Sequence, residues 1–156
     1  MRFPKQAFLT SKQTRIPEIV PINGRLAVCE EVKHSIEGFE SDIHQFLPVT
    51  VLGDLIETDK IKRCLCETYY LFNVGRRVDA LCLERSNVRV VEIRGQRCAY
   101  ANSIGGLVFS SEAIRGLHMW SGKYQVCNEL FLSESLGQVF KKKKWQSVEL
   151  VQRAEC

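Results

Sequence analysis

The chain has no long apolar run, no repeated cysteine spacing and no catalytic signature, and each absence removes a class of protein. No stretch approaches the roughly 18 apolar residues that a membrane-spanning helix needs. The opening Met1-Arg2-Phe3-Pro4-Lys5-Gln6 carries charge with no apolar segment behind it, and Lys12 and Arg15 interrupt the next ten residues, so a secretory leader is not expected. The G-x-S-x-G turn that presents a serine nucleophile in many hydrolases occurs nowhere. Proline is scarce, and three of the four (Pro4, Pro17, Pro21) fall in the first 24 residues. Charge of one sign is also lacking. Lysines and arginines number 22 against 18 acids, a formal net charge of +4, far from the balance of a dedicated nucleic-acid binder.

The rest is an ordinary globular composition. A length of 156 residues suits one domain, and 45% apolar with 26% charged residues supports a packed core. Seven cysteines is an odd number, with only Cys64-Leu65-Cys66 closely spaced. Cys29, Cys82 and Cys127 occupy apolar strand-like positions, where a free thiol behaves as a small hydrophobe. The expectation is reduced thiols in a cytoplasmic protein.

One local pattern occurs three times. Leu26-Ala27-Val28-Cys29, Leu107-Val108-Phe109-Ser110 and Leu130-Phe131-Leu132-Ser133 each run from three apolar residues into Cys or Ser, and Glu30, Glu112 and Glu134 come after them. The physical reading is a short buried strand stopping at a helix N-cap. The Ser oxygen accepts an orphan backbone N–H, and the acid sits at the positive end of the helix dipole. Cys29 is the poorest cap of the three. Strands followed by short helices predict an α+β class: a single domain with a mixed or antiparallel sheet.

Further strands are expected over 45–52, with Pro48 at an edge or bulge, over 68–74, over 88–94 with a bulge near Val91, around His118 to Trp120, and over 147–151. A helix is expected from Ser133 to Lys144. Residues 53–62, polar and acidic, read as an exposed loop or hairpin end. Residues 1–24 lack a clear period and read as an extended arm packed along the sheet, leaving 25–156 as the main domain.

Several residues carry enough chemistry to weigh. His44, between Ile43 and Phe46, has the acid–base chemistry of a catalyst, but no activated Ser or Cys points to it, and a hydrogen-bonded structural role fits better. His34 and His118 are equally isolated. Cys64-x-Cys66 lacks the two-residue gap of a zinc knuckle, so no metal is expected. Asp79 with Glu92-Ile93-Arg94 has the outline of a metal-dependent nuclease site. That outline requires the two carboxylates on adjacent strands, and it carries Arg where such sites use Lys. Lys141 to Lys144 would end a helix, favouring the dipole, with a phosphate- or nucleic-acid-binding surface as the alternative. Trp120, Tyr124, Arg76 and Arg77 are suited to anchoring a protein partner, with core packing the competing role for Trp120.

Between Ser35 and Ser86 the sequence carries a more specific pattern. It reads S-I-E-G-F-E-S-D-I-H-Q-F-L-P-V-T-V, a polar interruption, then Y-Y-L-F-N-V-G-R-R-V-D-A-L-C-L-E-R-S. The pair closely resembles the eleventh family of bacterial immunity proteins, formerly a domain of unknown function, whose members neutralise polymorphic toxins. The matching positions are Glu37, His44, Gln45, Phe46, Pro48, Val49, Asn73, Val74, Arg77, Asp79, Leu81, Glu84 and Ser86. The resemblance spans roughly Leu26 to Val151. It implies a cytoplasmic protein that holds a cognate toxin encoded beside it and blocks it by occupation, without catalysis, cofactor or metal, and with neither membrane nor nucleic acid as partner. The departures are the arm over 1–24, which matches nothing and could carry partner specificity, and Cys29, which stands where a serine is expected.

Overall fold

The computed structural model describes residues 4–9, 16–57, 60–102, 106–123, 129–145 and 147–156. Its class is α+β, with two helices set among twelve strands in the described residues. The chain divides into two compact units, Met1–Asn73 with Val139–Glu149, and Val74–Gln138 with Leu150–Cys156.

The first unit is built on a five-stranded mixed sheet in the order β1-β4-β5-β3-β2. Its strands are β1 (Gln6–Leu9), β2 (Ile19–Ile22), β3 (Arg25–Val28), β4 (Gln45–Glu57) and β5 (Lys60–Asn73). Only β1 against β4 is parallel; the other neighbours are antiparallel. β1 and β2, from the segment expected as an arm, are the two outer strands. The β4–β5 hairpin extends well past the expected strands. Residues 53–57 and 60–62, expected as loop, are strand backbone. The reason is cross-strand pairing: β5 offers a partner almost to the turn, with one irregularity between Asp54 and Ile56, and pairing overrides weak local propensity.

Period-two alternation decides the faces of this sheet. Val49, Val51, Tyr69 and Leu71 point to one side, where with Val20, Ile22, Ala27 and Ile16 they form a buried core. The Tyr69 hydroxyl donates to the Pro17 carbonyl at 2.8 Å and fixes the chain entering β2 to that core. Phe46, Tyr70 and Phe72 point to the other side. Pro48 sits on β4 two residues before β1 begins to pair at Thr50, so its missing N–H falls where the strand is still an edge.

Helix α1 (Glu30–Glu37) comes directly after β3 and lies against β5, burying Val32 and Ile36, which stand four apart on one face. Cys29 takes the extended N-cap conformation but makes no side-chain cap bond. The helix ends at Gly38, whose N–H bonds the His34 carbonyl. Asp42 then takes a left-handed conformation at φ 59°, which turns the chain into β4.

The second unit holds small sheets. β6 (Arg77–Val78), β10 (Met119–Gly122) and β11 (Phe131–Leu132) form one, in the order β11-β10-β6. β7 (Val88–Ile93) and β8 (Gln96–Ala101) form a hairpin, and β9 (Val108–Phe109) pairs in parallel with β12 (Ala154–Glu155). The β7–β8 register is continuous, so the bulge expected near Val91 is absent; Arg94 and Gly95, both left-handed, turn the strands in two residues and leave no residue over. The core is aromatic. Phe109 and Phe131 rings lie 4.6 Å apart and Trp120 stacks 5.9 Å from Phe131, with Ala80 and Leu107 completing the cluster.

Helix α2 (Glu134–Lys143) begins just after β11 as expected, and the division between the units falls within it. Ser133 caps it, its oxygen accepting the Leu136 N–H at 3.3 Å. The middle copy of the repeated pattern behaves differently. After β9, Ser110 accepts the Ala113 N–H at 3.4 Å, but residues 111–116 form turns rather than a helix. Gly116 at φ 75° reverses the chain before a second turn of helix can form. The strand expected over 147–151 is also absent. Ser147 instead accepts the Ile19 N–H and donates to Glu18, and the last strand forms later, at 154–155, where β9 offers an edge.

The side chains of Cys82 and Cys156, 74 residues apart in the sequence, are brought side by side. The backbone explains the approach: Cys82 N–H bonds the Val108 carbonyl and Cys156 N–H bonds the Phe109 carbonyl, so both residues flank β9. Cys29 and Cys98 are free.

Candidate functional site

The two sequence blocks become paired strands. Gln45 opposes Asn73, Phe46 opposes Phe72 and Pro48 opposes Tyr70 across the β4–β5 ladder. The register brings aromatic rings together, Phe46 and Phe72 stacking at 5.0 Å. Above them, Lys33 of α1 places its ammonium 4.9 Å from the centre of the Tyr70 ring, a cation–π arrangement, and pairs with Glu37 at 3.1 Å one helical turn on. Glu37 thus fastens a lysine over the sheet. Gln45, Pro48 and Asn73 are exposed.

His44 is held at the entry to β4. Its Nε2 and the Glu40 Oε2 are hydrogen-bonded at 2.8 Å, and its ring meets Phe72 edge-on at 5.6 Å. The His44 side chain is 0% exposed and that of Glu40 4%. Buried polar groups persist only when paired, and here the pair locks the turn between α1 and β4. No substrate reaches an imidazole so enclosed. Sequence reasoning missed Glu40, although its four-residue spacing from His44 was a usable signal.

The remaining family positions belong to the second unit. Arg77 begins β6 and is exposed, as are Asp79 and Glu84; Val74 and Leu81 are half-buried. Ser86 is structural in its contacts: its oxygen accepts the Val108 N–H at 2.9 Å and donates to the Val108 carbonyl at 3.2 Å, tying the turn over 83–86 to β9. The Arg76 carbonyl accepts the Ser121 N–H at 3.0 Å, and its side chain is half-buried. Trp120 is 4% exposed and packs inside the aromatic core. Tyr124 lies outside the described residues, as does Cys127.

The nuclease outline does not assemble. Asp79 comes after β6 in one sheet and Glu92 stands on β7 in another, so they are not on adjacent strands. Among the described residues, no three His, Cys, Asp or Glu side chains are grouped to hold a metal ion. Cys64 and Cys66 both lie within β5.

The lysine run closes α2 at the negative end of its dipole. Lys143 is engaged, its Nζ 2.7 Å from Glu31 Oε1. That hydrogen bond is the main reason the Glu31 carboxyl is held below its ordinary value; partial burial opposes it and the Trp145 indole N–H, at 3.4 Å, adds to it. Trp145 itself is buried edge-on against Phe140 at 4.7 Å.

A second histidine contact was invisible in the sequence. His118 Nδ1 lies 3.0 Å from Ser133 Oγ and 3.3 Å from Ser135 Oγ, joining β10 to the start of α2. Because Ser133 already caps the helix, the arrangement serves as a brace.

No helix among the described residues is long and apolar enough to cross a membrane. Comparison with known families gives a match: the model of an immunity protein family (Imm11) covers residues 2–154. No curated protein matches the chain.

Proposed function

Given that the chain belongs to the Imm11 immunity protein family, we propose that it binds one cognate bacterial toxin and neutralises it by occupation, acting in the cytoplasm and catalysing nothing. The observation that carries the reading is the family match over residues 2–154. The geometry supports binding over chemistry in one specific way. The residue with the best catalytic credentials, His44, is enclosed against Glu40 and Phe72, while the charged family positions Arg77, Asp79 and Glu84 are exposed.

Occupation needs a surface with a few firm anchors inside a polar rim. Arg76 and Arg77 are the proposed contact residues, with Tyr124 as a third. Trp120 is a supporting residue, since its ring belongs to the core and its strand β10 pairs with β6, Ser121 opposite Arg77. Affinity should be nanomolar or tighter, about −12 kcal/mol or better, because a cell tolerates little free toxin.

The test is co-expression with the toxin encoded by the adjacent gene, with calorimetry on the purified pair. Wild-type chain should protect and bind. A folded His44→Gln variant should protect equally, and purified chain with Mg²⁺ or Mn²⁺ should leave plasmid DNA intact. A folded variant that binds with unchanged affinity yet fails to protect would overturn occupation as the mechanism.

A further inference from the structure

We infer that the outer edge of β7 takes up an extended, acid-bearing segment of the toxin as an added strand, an inference that rests on the toxin-binding reading above. β7 and β8 pair only with each other among the described residues, from Val88↔Ala101 to Ile93↔Gln96. An isolated two-stranded hairpin is marginal in water, and a bare strand edge is an open template for another chain.

The direction of the backbone groups is set by the register. Asn102 N–H bonds the Asn87 carbonyl at 3.1 Å, which marks 87 and 102 as a bonded pair. Antiparallel ladders alternate bonded and non-bonded pairs. The odd residues 89, 91 and 93 therefore bond to β8, while Val88, Val90 and Glu92 aim their N–H and C=O groups outward. The Val88 N–H is taken by the Ser86 carbonyl at 3.0 Å. The backbone groups of Val90 and Glu92 have no partner among the described residues.

This edge carries no proline, no lysine and no bulge, and its two charges, Arg89 and Glu92, are of opposite sign. Arg89, Val90, Glu92 and Ile93 are exposed, Val90 and Ile93 each to 44%. The opposite edge differs, for Ala99, an outward-aimed position on β8, is buried. Of the two edges, β7 is the open one.

The side chains indicate the chemistry of the occupant. Val90 and Ile93 fall on opposite faces of the hairpin, so an added strand meets apolar surface on both sides. Arg89 on β7, Arg94 in the turn and Arg97 on β8 outnumber the one acid of the hairpin, Glu92, which stands opposite Arg97. Arg89 is also steadied over the Tyr100 ring at 5.7 Å. An excess of arginine around an open edge selects a strand bearing Asp or Glu. Main-chain bonds would supply affinity and the alternate side chains specificity.

The experiment uses the full chain and the product of the adjacent toxin gene. Val90→Pro removes an outward N–H and leaves the hairpin's own ladder intact, because proline is tolerated on an edge. The expected results are a folded variant, by circular dichroism, whose affinity falls at least about tenfold, and a comparable loss for the double variant Arg89→Glu, Arg97→Glu. Hydrogen exchange on the wild-type complex should slow at the amides of Val90 and Glu92. The inference is overturned if folded Val90→Pro binds as wild type does, if the slowed amides fall elsewhere, or if the wild type alone dimerises through this edge. Should the proline variant misfold, the double variant and the wild-type exchange pattern decide by the same criteria. If the wild type does not bind the neighbouring product at all, the toxin-binding reading fails, and this inference with it.

Discussion

Replacing Ser133 with alanine separates a working helix cap from its two imitations in the same chain. Ser133 Oγ accepts the Leu136 N–H at 3.3 Å and contacts His118 Nδ1 at 3.0 Å. Loss of an N-cap costs about 1 kcal/mol, and loss of a side-chain hydrogen bond about 0.5–1.5 kcal/mol. Ser135 lies 3.3 Å from the same imidazole nitrogen and takes over part of the second contact. The total should be about 1–2 kcal/mol, which lowers the melting temperature of a chain this size by about 2–8 °C. Ser110→Ala removes only a 3.4 Å bond inside a turn, so it should cost no more than about 1 kcal/mol. Cys29→Ser runs the other way. The backbone there, at φ −70° and ψ 168°, already has cap geometry and lacks only an acceptor. An oxygen gains up to about 1 kcal/mol, offset in part by the packing of the sulfur against the core, so the variant should be neutral or slightly more stable. Thermal unfolding followed by circular dichroism measures all three. Equal shifts for Ser133→Ala and Ser110→Ala, or a fall of several degrees for Cys29→Ser, would refute the reasoning.

Four other outcomes are expected. Trp120→Ala should destabilise by about 3–5 kcal/mol in urea titration, because it empties the centre of the Phe109–Phe131 cluster. Glu40→Ala should cost about 1–3 kcal/mol by removing the bonded partner of a buried imidazole, and Glu40→Gln markedly less, both read from denaturant midpoints. The Glu31 carboxyl is held below its ordinary value of 4.5, first by Lys143. Its contribution is therefore present above that pH and is lost as pH falls through the lowered value, so wild type and Glu31→Gln should converge in melting temperature in acid and diverge near neutrality. Alkylation and mass spectrometry of protein purified without reductant should label Cys29 and Cys98.

The sequence by itself determined the features that depend on neighbours a few residues away. The α+β class, the helix after Leu132, the aromatic strand ending at Asn73 and the family all rest on periodicity, caps and contiguous motifs. Where a local rule had no competitor it held, as at Pro48, which stands on a stretch of edge. Tertiary structure decided whatever needed a distant partner. Residues 53–57 became strand because β5 lay beside them. Residues 147–151 did not, and pairing moved to 154–155 because β9 presented its edge there. The same pattern yielded helices after Cys29 and Ser133 and turns after Ser110, where Gly116 reversed the chain. His44 looked isolated until folding set Glu40 and Phe72 against it, and Cys82 met Cys156 across 74 residues. The open edge of β7 belongs to this second class: the strand could be read from its valines, but whether another strand covered it was fixed only by how the whole chain folded, since the pairing of a strand edge depends on which other backbone reaches it.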